Sequence, residues 1–181
     1  MIRKYTLKPH SDNPHIGAIE STVEGEISPD VIRLVYKLAG DVDLFVFPEF
    51  SACRVGDKLW KDTCFELFIK LPNGSYLEFN FSPSGKWAAY SFEDYRAGMQ
   101  EVKMSEQPDI TCVSDNLGVS LNLILPLATP LLSSVAPEDL LIALSIVLRL
   151  KDQRYCYFAL NFPLGKPDFH HPTGFIPLVI E

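Results

Sequence analysis

Two carboxylates and an amide, Glu66, Glu78 and Asn80, are interleaved with aromatic residues along residues 60–92, WKDTCFELFIKLPNGSYLEFNFSPSGKWAAYSF. Such groups support two kinds of chemistry. Carboxylate and amide atoms can hydrogen-bond the hydroxyls of a small polar ligand while a ring gives it apolar contact, the usual make-up of a binding pocket. A pair of carboxylates can also act as acid and base, as in glycoside hydrolysis. Trp60, Tyr90, Arg149, Lys166 and His170 join the candidates as an aromatic platform, a second ring, two cations and an imidazole. The loop of residues 162–175, FPLGKPDFHHPTGF, adds Asp168 and His171. Asp-x-His is compatible with a metal site by donor type. Adjacent histidines in extended backbone point apart, however, so both do not readily hold one ion. Cys64 with His170 would supply a nucleophile and a base, but nothing in the sequence activates the thiol.

These side chains share a face only if the strands that carry them are in one particular register, because a slip of one residue turns every side chain over. Leu71-Pro72-Asn73-Gly74-Ser75 has the residue types of a three-residue hairpin with Gly at the left-handed position. That turn opposes Ile69 to Leu77, Leu67 to Phe79 and Phe65 to Phe81. A two-residue Asn-Gly loop would oppose Leu67 to Asn80, a poor hydrophobic match. Ser82-Pro83-Ser84-Gly85-Lys86 repeats the logic and opposes Phe81 to Trp87 and Phe79 to Ala89. The reverse face then carries Glu66 beside Asn80 and Ala88, Phe68 beside Glu78 and Tyr90, and Lys70 beside Tyr76 and Phe92.

The remaining chain is mostly strand-like. Residues 2–7 and 16–23 are expected as edge strands, residues 31–38 as a strand whose Ile32, Leu34, Tyr36 and Leu38 face one way, and residues 44–47 as a short strand closed by Pro48. Residues 93–108 mix helix-compatible and loop types. Residues 110–114 and 118–125 flank the turn signal Asp115-Asn116, with Ser120 and Asn122 opposite the apolar side. Residues 126–137 form a Pro- and Ser-rich crossing between sheets. A hairpin around Asp152 opposes Leu148 to Cys156, Ile146 to Phe158 and Leu144 to Leu160, leaving Val147, Arg149, Tyr155, Tyr157 and Asn161 on its reverse. Residues 175–180 are expected as the last strand. About ten strands with little helix predict an all-β, antiparallel β-sandwich.

With 181 residues, the chain is expected to be one domain, 1–181, with 163–175 as a long functional or lid loop. A net charge of −7 argues against nucleic acid or an anionic membrane as partner. The longest apolar run, residues 140–148, is too short to span a bilayer as a helix. The N-terminal segment lacks the apolar core of a signal peptide, so a cytoplasmic location is expected. Four cysteines without paired spacing read as reduced thiols.

LWKDTCFELF, YLEFNFSPSGKWAAYSFEDYRAGM and GKPDFHHP resemble bacterial single-domain proteins of the DOMON-like, type 9 carbohydrate-binding-module-like group. The resemblance covers most of the chain from about Val31 onward. It implies a jelly-roll-like β-sandwich, and a sugar held by aromatic platforms with carboxylate, amide and basic groups around them. Trp60, six residues before Glu66, resembles the aromatic and acidic pair of those modules, while a second Trp is missing from the C-terminal half and His170 or His171 stands there instead. Other DOMON-like domains bind haem through Met and His. Met99 and Met104 with His170 do not reproduce that pattern, and no cofactor is expected.

The leading expectation is a non-catalytic domain binding a carbohydrate or related polar ligand through Trp60, Glu66, Glu78, Asn80, Tyr90, Arg149, Lys166 and His170. Three alternatives stay open. Glu66 and Glu78 could be acid and base of a hydrolase or isomerase acting on a sugar derivative. The polar face could be plain solvent surface or a structural ion-pair cluster with Arg149 and Lys166 as its cations. The aromatic face could meet a partner protein.

Overall fold

The structure, a computed structural model, describes residues 2–28, 30–127 and 135–178. It contains twelve strands among them: β1 (Arg3–Pro9), β2 (Ile19–Ile27), β3 (Val31–Gly40), β4 (Cys64–Lys70), β5 (Tyr76–Phe81), β6 (Trp87–Phe92), β7 (Gln100–Glu101), β8 (Asp109–Asp115), β9 (Gly118–Pro126), β10 (Leu141–Arg149), β11 (Tyr155–Ala159) and β12 (Ile176–Pro177). All pair antiparallel, in the order β7-β6-β5-β4-β10-β11-β1-β2-β3-β9-β8, with β12 on the end of β10. The ribbon curls until its two halves face each other across one core.

The core follows from the alternation. Ile32, Leu34, Tyr36 and Leu38 of β3 and Val119, Leu121, Leu123 and Leu125 of β9 point inward from one half. Phe65, Leu67 and Ile69 of β4 and Leu77, Phe79 and Phe81 of β5 meet them from the other, with Leu144, Ile146 and Leu148 of β10. The two meander turns form as their residues require. Leu71 N donates to Ser75 O and Ser82 N to Lys86 O, with Gly74 and Gly85 at φ of 93° and 82°. Phe65 pairs with Phe81, Leu67 with Phe79 and Phe81 with Trp87, as the hydrophobic match demands. In the β10-β11 hairpin Leu148 pairs with Cys156 and Ile146 with Phe158.

The halves differ in how their outer faces are treated. In β4 and β5 almost every residue is buried, on both faces. A second apolar cluster, Phe68, Tyr76, Ala88, Tyr90, Phe92 and Ala143, covers the outer side of the meander, packed by Leu59, Trp60, Phe169 and Phe175. On β3 and β9, by contrast, Lys37, Asn122 and Ile124 are exposed.

Some expectations need correcting. Neither β1 nor β2 is an edge: β1 lies between β2 and β11, and β2 between β1 and β3. Residues 44–47 are not a strand. A single 3₁₀ turn, Val42–Leu44, leads to one bridge from Phe45 to Leu150, and Val46 N donates to Arg149 O before Pro48 ends the pairing. Residues 93–108 hold no helix, only turns and the short β7. The chain changes sheets between β9 and β10, but residues 128–134 of that crossing lie outside the described residues. The final strand is described only as Ile176–Pro177, and 179–181 lie outside as well.

Candidate functional site

Glu66 sits at the centre of the second half-sheet, paired with Asn80 of β5 on one side and Ser145 of β10 on the other. Its place in the alternation turns it away from the main core, toward the outer cluster. Ser145 Oγ donates to Glu66 Oε2 at 3.0 Å. One row on, Glu78 pairs with Phe68 and Tyr90, and Asn80 Nδ2 donates to Glu78 Oε1 at 2.7 Å. Cys64 Sγ in turn donates to Asn80 Oδ1 at 3.3 Å, which fixes the amide's orientation. Glu66, Glu78 and Asn80 are only 2%, 5% and 0% exposed, so they are neither an open solvent face nor a rim.

What covers them is the 163–175 loop. Phe169 and Phe175 pack on the aromatic cluster. His170 enters between Phe68 and Phe92, each ring 5.2 Å away and near-perpendicular. Its Nδ1 lies 2.8 Å from Tyr76 Oη, and its Nε2 3.7 Å from Glu78 Oε2. Asp168 ties the loop down. Its carboxylate accepts hydrogen bonds from Tyr95 Oη, from Arg96 Nη2 at 2.7 Å and from the His170 backbone N–H at 3.1 Å. Arg96 N donates to Tyr76 Oη at 3.1 Å, locking the turn after β6 to the same group.

Between loop and sheet a cavity of about 390 Å³ remains. Trp60, Phe92, Tyr157 and Phe169 give it aromatic walls; Glu66, Glu78, Arg96 and His170 give it polar groups; Met99, Val147 and Pro167 complete it. Trp60 lies on a 3₁₀ turn, Leu59–Lys61, just before β4, with its ring edge-on to Tyr90 at 5.7 Å. Tyr157 is held by Asn13, whose side chain accepts from Tyr157 N and donates to Tyr157 O as a neighbouring strand would.

The electrostatics of this cavity favour neutral forms. Burial drives the Glu66 carboxyl well above the usual carboxylate range and the charge of Glu78 adds to that, while the Ser145 hydrogen bond and the Arg96 charge oppose it. Burial raises Glu78 too, against the Asn80 hydrogen bond and Arg96. His170 is pushed down to about 4 by burial and by Arg96, with Asp168 working the other way. Burial and the neighbouring Glu66 and Glu78 push the Cys64 thiol far up, so a thiolate nucleophile does not form there.

Of the side chains expected from sequence, Trp60, Glu66, Glu78 and His170 line the cavity. Asn80 and Tyr90 stand directly behind, one bonded to Glu78 and the other packed on Trp60. Arg149 and Lys166 do not take part. Arg149 Nε pairs with Asp62 Oδ1 at 2.9 Å and its Nη1 donates to Gln153 Oε1 at 3.0 Å. Lys166 is exposed near the start of the loop and is not among the lining residues. A structural ion-pair cluster built on these two cations is therefore not what holds Glu66 and Glu78. Asn161 accepts from Lys8 Nζ, and Asn122 lies on the far half-sheet.

Arg96, Met99, Phe169 and Pro167 are lining residues that strand periodicity does not reveal, since they come from loops. Among the described residues no three His, Cys, Asp or Glu side chains are grouped as metal ligands, and Asp168 accepts three hydrogen bonds from protein donors. Met99 lines the cavity with His170, whereas Met104 packs against the main core.

No protein-family model and no curated protein matches this sequence. The fold is similar to that of a presumed carbohydrate-binding protein from Bacteroides uniformis ATCC 8492, with a TM-score of 0.70 and 16% identity over 96% of this chain and 84% of that one. A family 9 carbohydrate-binding module from Caldicellulosiruptor kristjanssonii in complex with cellotriose aligns at a TM-score of 0.48 and 7% identity, covering 91% of this chain and 75% of that one. The same module with glucose aligns equally, over 76% of its length. At such identities the likeness speaks to the fold alone.

Proposed function

We propose that this chain is a non-catalytic binding domain for a small polar ligand, a carbohydrate or a related molecule, taken up between the outer face of the β4-β5-β6 meander and the 163–175 loop. One observation carries the reading. Trp60, Glu66, Glu78 and His170, scattered over the sequence, converge on a single cavity with aromatic walls and buried hydrogen-bonding groups. The likeness of its fold to a presumed carbohydrate-binding protein, and the resemblance of its motifs to the type 9 carbohydrate-binding-module-like group, support it. Ring contact on Trp60 and hydrogen bonds to Glu66 and Glu78 would hold the ligand. A thermal-shift screen with saccharides and polyols tests this: a ligand that raises Tm in the native chain and fails in Trp60→Ala is expected, and no response to any of them refutes it.

A second reading has its own observation. Two buried carboxyls face one cavity and hold their protons more tightly than free carboxylates, as a general acid must. Hydrolase or isomerase action on a sugar derivative would then run through Glu66 and Glu78. Turnover that vanishes in Glu66→Gln with folding unchanged would establish it in place of simple binding.

A further inference from the structure

The cavity holds two carboxyl groups that make no ion pair with a Lys or Arg side chain among the described residues. Glu66 Oε2 takes the Ser145 hydroxyl, while its Oε1 has no hydrogen-bond partner among the described residues. Glu78 Oε1 takes the Asn80 amide, and its Oε2 meets only His170 at 3.7 Å, an imidazole that burial keeps neutral. Arg96 lines the cavity and draws both carboxyls down from a distance, but each cation nearby is engaged elsewhere. Arg96 is paired with Asp168, Arg149 with Asp62, and the Lys70 ammonium lies 5.5 Å from the centre of the Phe175 ring. The other titratable groups around the pair, Cys64 on β4, Tyr76 on β5, Tyr90 on β6 and Tyr157 on β11, are all raised by burial and carry no positive charge.

Aromatic rings stand around this pair of carboxyls: Trp60, Phe92, Tyr157 and Phe169. Two buried carboxyls set among aromatic side chains match one ligand group better than any other. A protonated amine forms charge-assisted hydrogen bonds to carboxylates and is attracted by the ring quadrupoles. Seated between them, the amine brings the opposite charge that lets buried carboxyls give up their protons, which a ligand with hydroxyls alone does not.

We propose that the ligand bound here carries a protonated amine seated between Glu66 and Glu78 beside Trp60, and that an amino sugar is the substrate class. The inference rests on the saccharide reading above for the sugar and on the glutamates for the amine. Calorimetric titration of the intact chain at near-neutral pH with glucosamine, N-acetylglucosamine, glucose and choline separates the two. Glucosamine should bind roughly ten-fold or more tightly than glucose or N-acetylglucosamine. Glu66→Gln and Glu78→Gln, shown to be folded by circular dichroism, should each erase that preference, and a preference that survives both variants overturns the placement. Glucose or N-acetylglucosamine binding as tightly as glucosamine overturns the amine and leaves the saccharide reading intact. Choline binding where no sugar binds supports the amine and overturns the sugar. Silence from all four overturns both. The ligand comparison on the unaltered chain decides even if the variants do not fold.

Discussion

Tyr36 Oη donates a 2.8 Å hydrogen bond across the middle of the core to the backbone carbonyl of Glu66. The donor belongs to β3 in one half-sheet and the acceptor to β4 in the other, so the strand that carries the central carboxyl is fastened from behind. Tyr36→Phe keeps the ring and its packing on Phe65 but removes the tie. Urea unfolding should show a loss of about 1 kcal/mol, and ligand affinity should fall with it as Glu66 gains freedom.

Glu66 itself is expected to work against stability. Its proton affinity is higher folded than unfolded, so its contribution is fully present below the ordinary carboxyl range near 4.5 and is lost as pH rises through the raised value. Glu66→Gln has nothing to ionise. At pH ~8 the variant should be more stable than the native chain by about 1–3 kcal/mol, with the gap closing toward acid. Equal Tm values across that range would contradict the burial argument.

His170 behaves in the opposite direction. Its folded value of about 4 lies below the ordinary 6.5, so its stabilisation is complete above 6.5 and is lost as pH falls toward 4. The full loss is about 3 kcal/mol at low pH. His170→Asn, which keeps a polar atom facing Tyr76, should flatten that acid limb of a Tm-against-pH curve.

Asp168 should control the loop more than the fold. Burial would raise its carboxyl, but hydrogen bonds from Tyr95 and Arg96 hold it below the ordinary range. In Asp168→Asn the amide oxygen can still accept from Arg96 and the His170 N–H, but the charge paired with the guanidinium is gone and the NH2 edge cannot accept from Tyr95 Oη. Hydrogen exchange should quicken across 163–175 while β4 and β10 stay protected, and global stability should drop by no more than about 1–2 kcal/mol.

What the sequence reveals depends on where each residue sits. Gly74 and Gly85 fix the meander register through backbone conformations other residues avoid, and the strict two-residue period then sorts Glu66, Glu78 and Asn80 onto one face. Val147 and Tyr157 were legible for the same reason. Arg96 was not, because a loop turn with Arg96 itself at φ 52° has no period to read. Arg149 misled because its strand position is right, but the partner that claims it, Asp62, sits outside any repeating pattern. The edge assignments for β1 and β2 failed for a related cause: weak local alternation says nothing about which distant strand lies alongside.

That distant pairing has a consequence for how the chain comes into being. β1 links the two halves by joining β2 over residues 3–7 and then β11 through Lys8–Ala159 and Pro9–Phe158. During synthesis the first strand leaves the ribosome long before its second neighbour is translated. One border of β1 must wait, unpaired, until the β11 residues that face it have been made. The two halves can therefore be joined through β1 only once residues 155–159 have been made, so the core between them closes late.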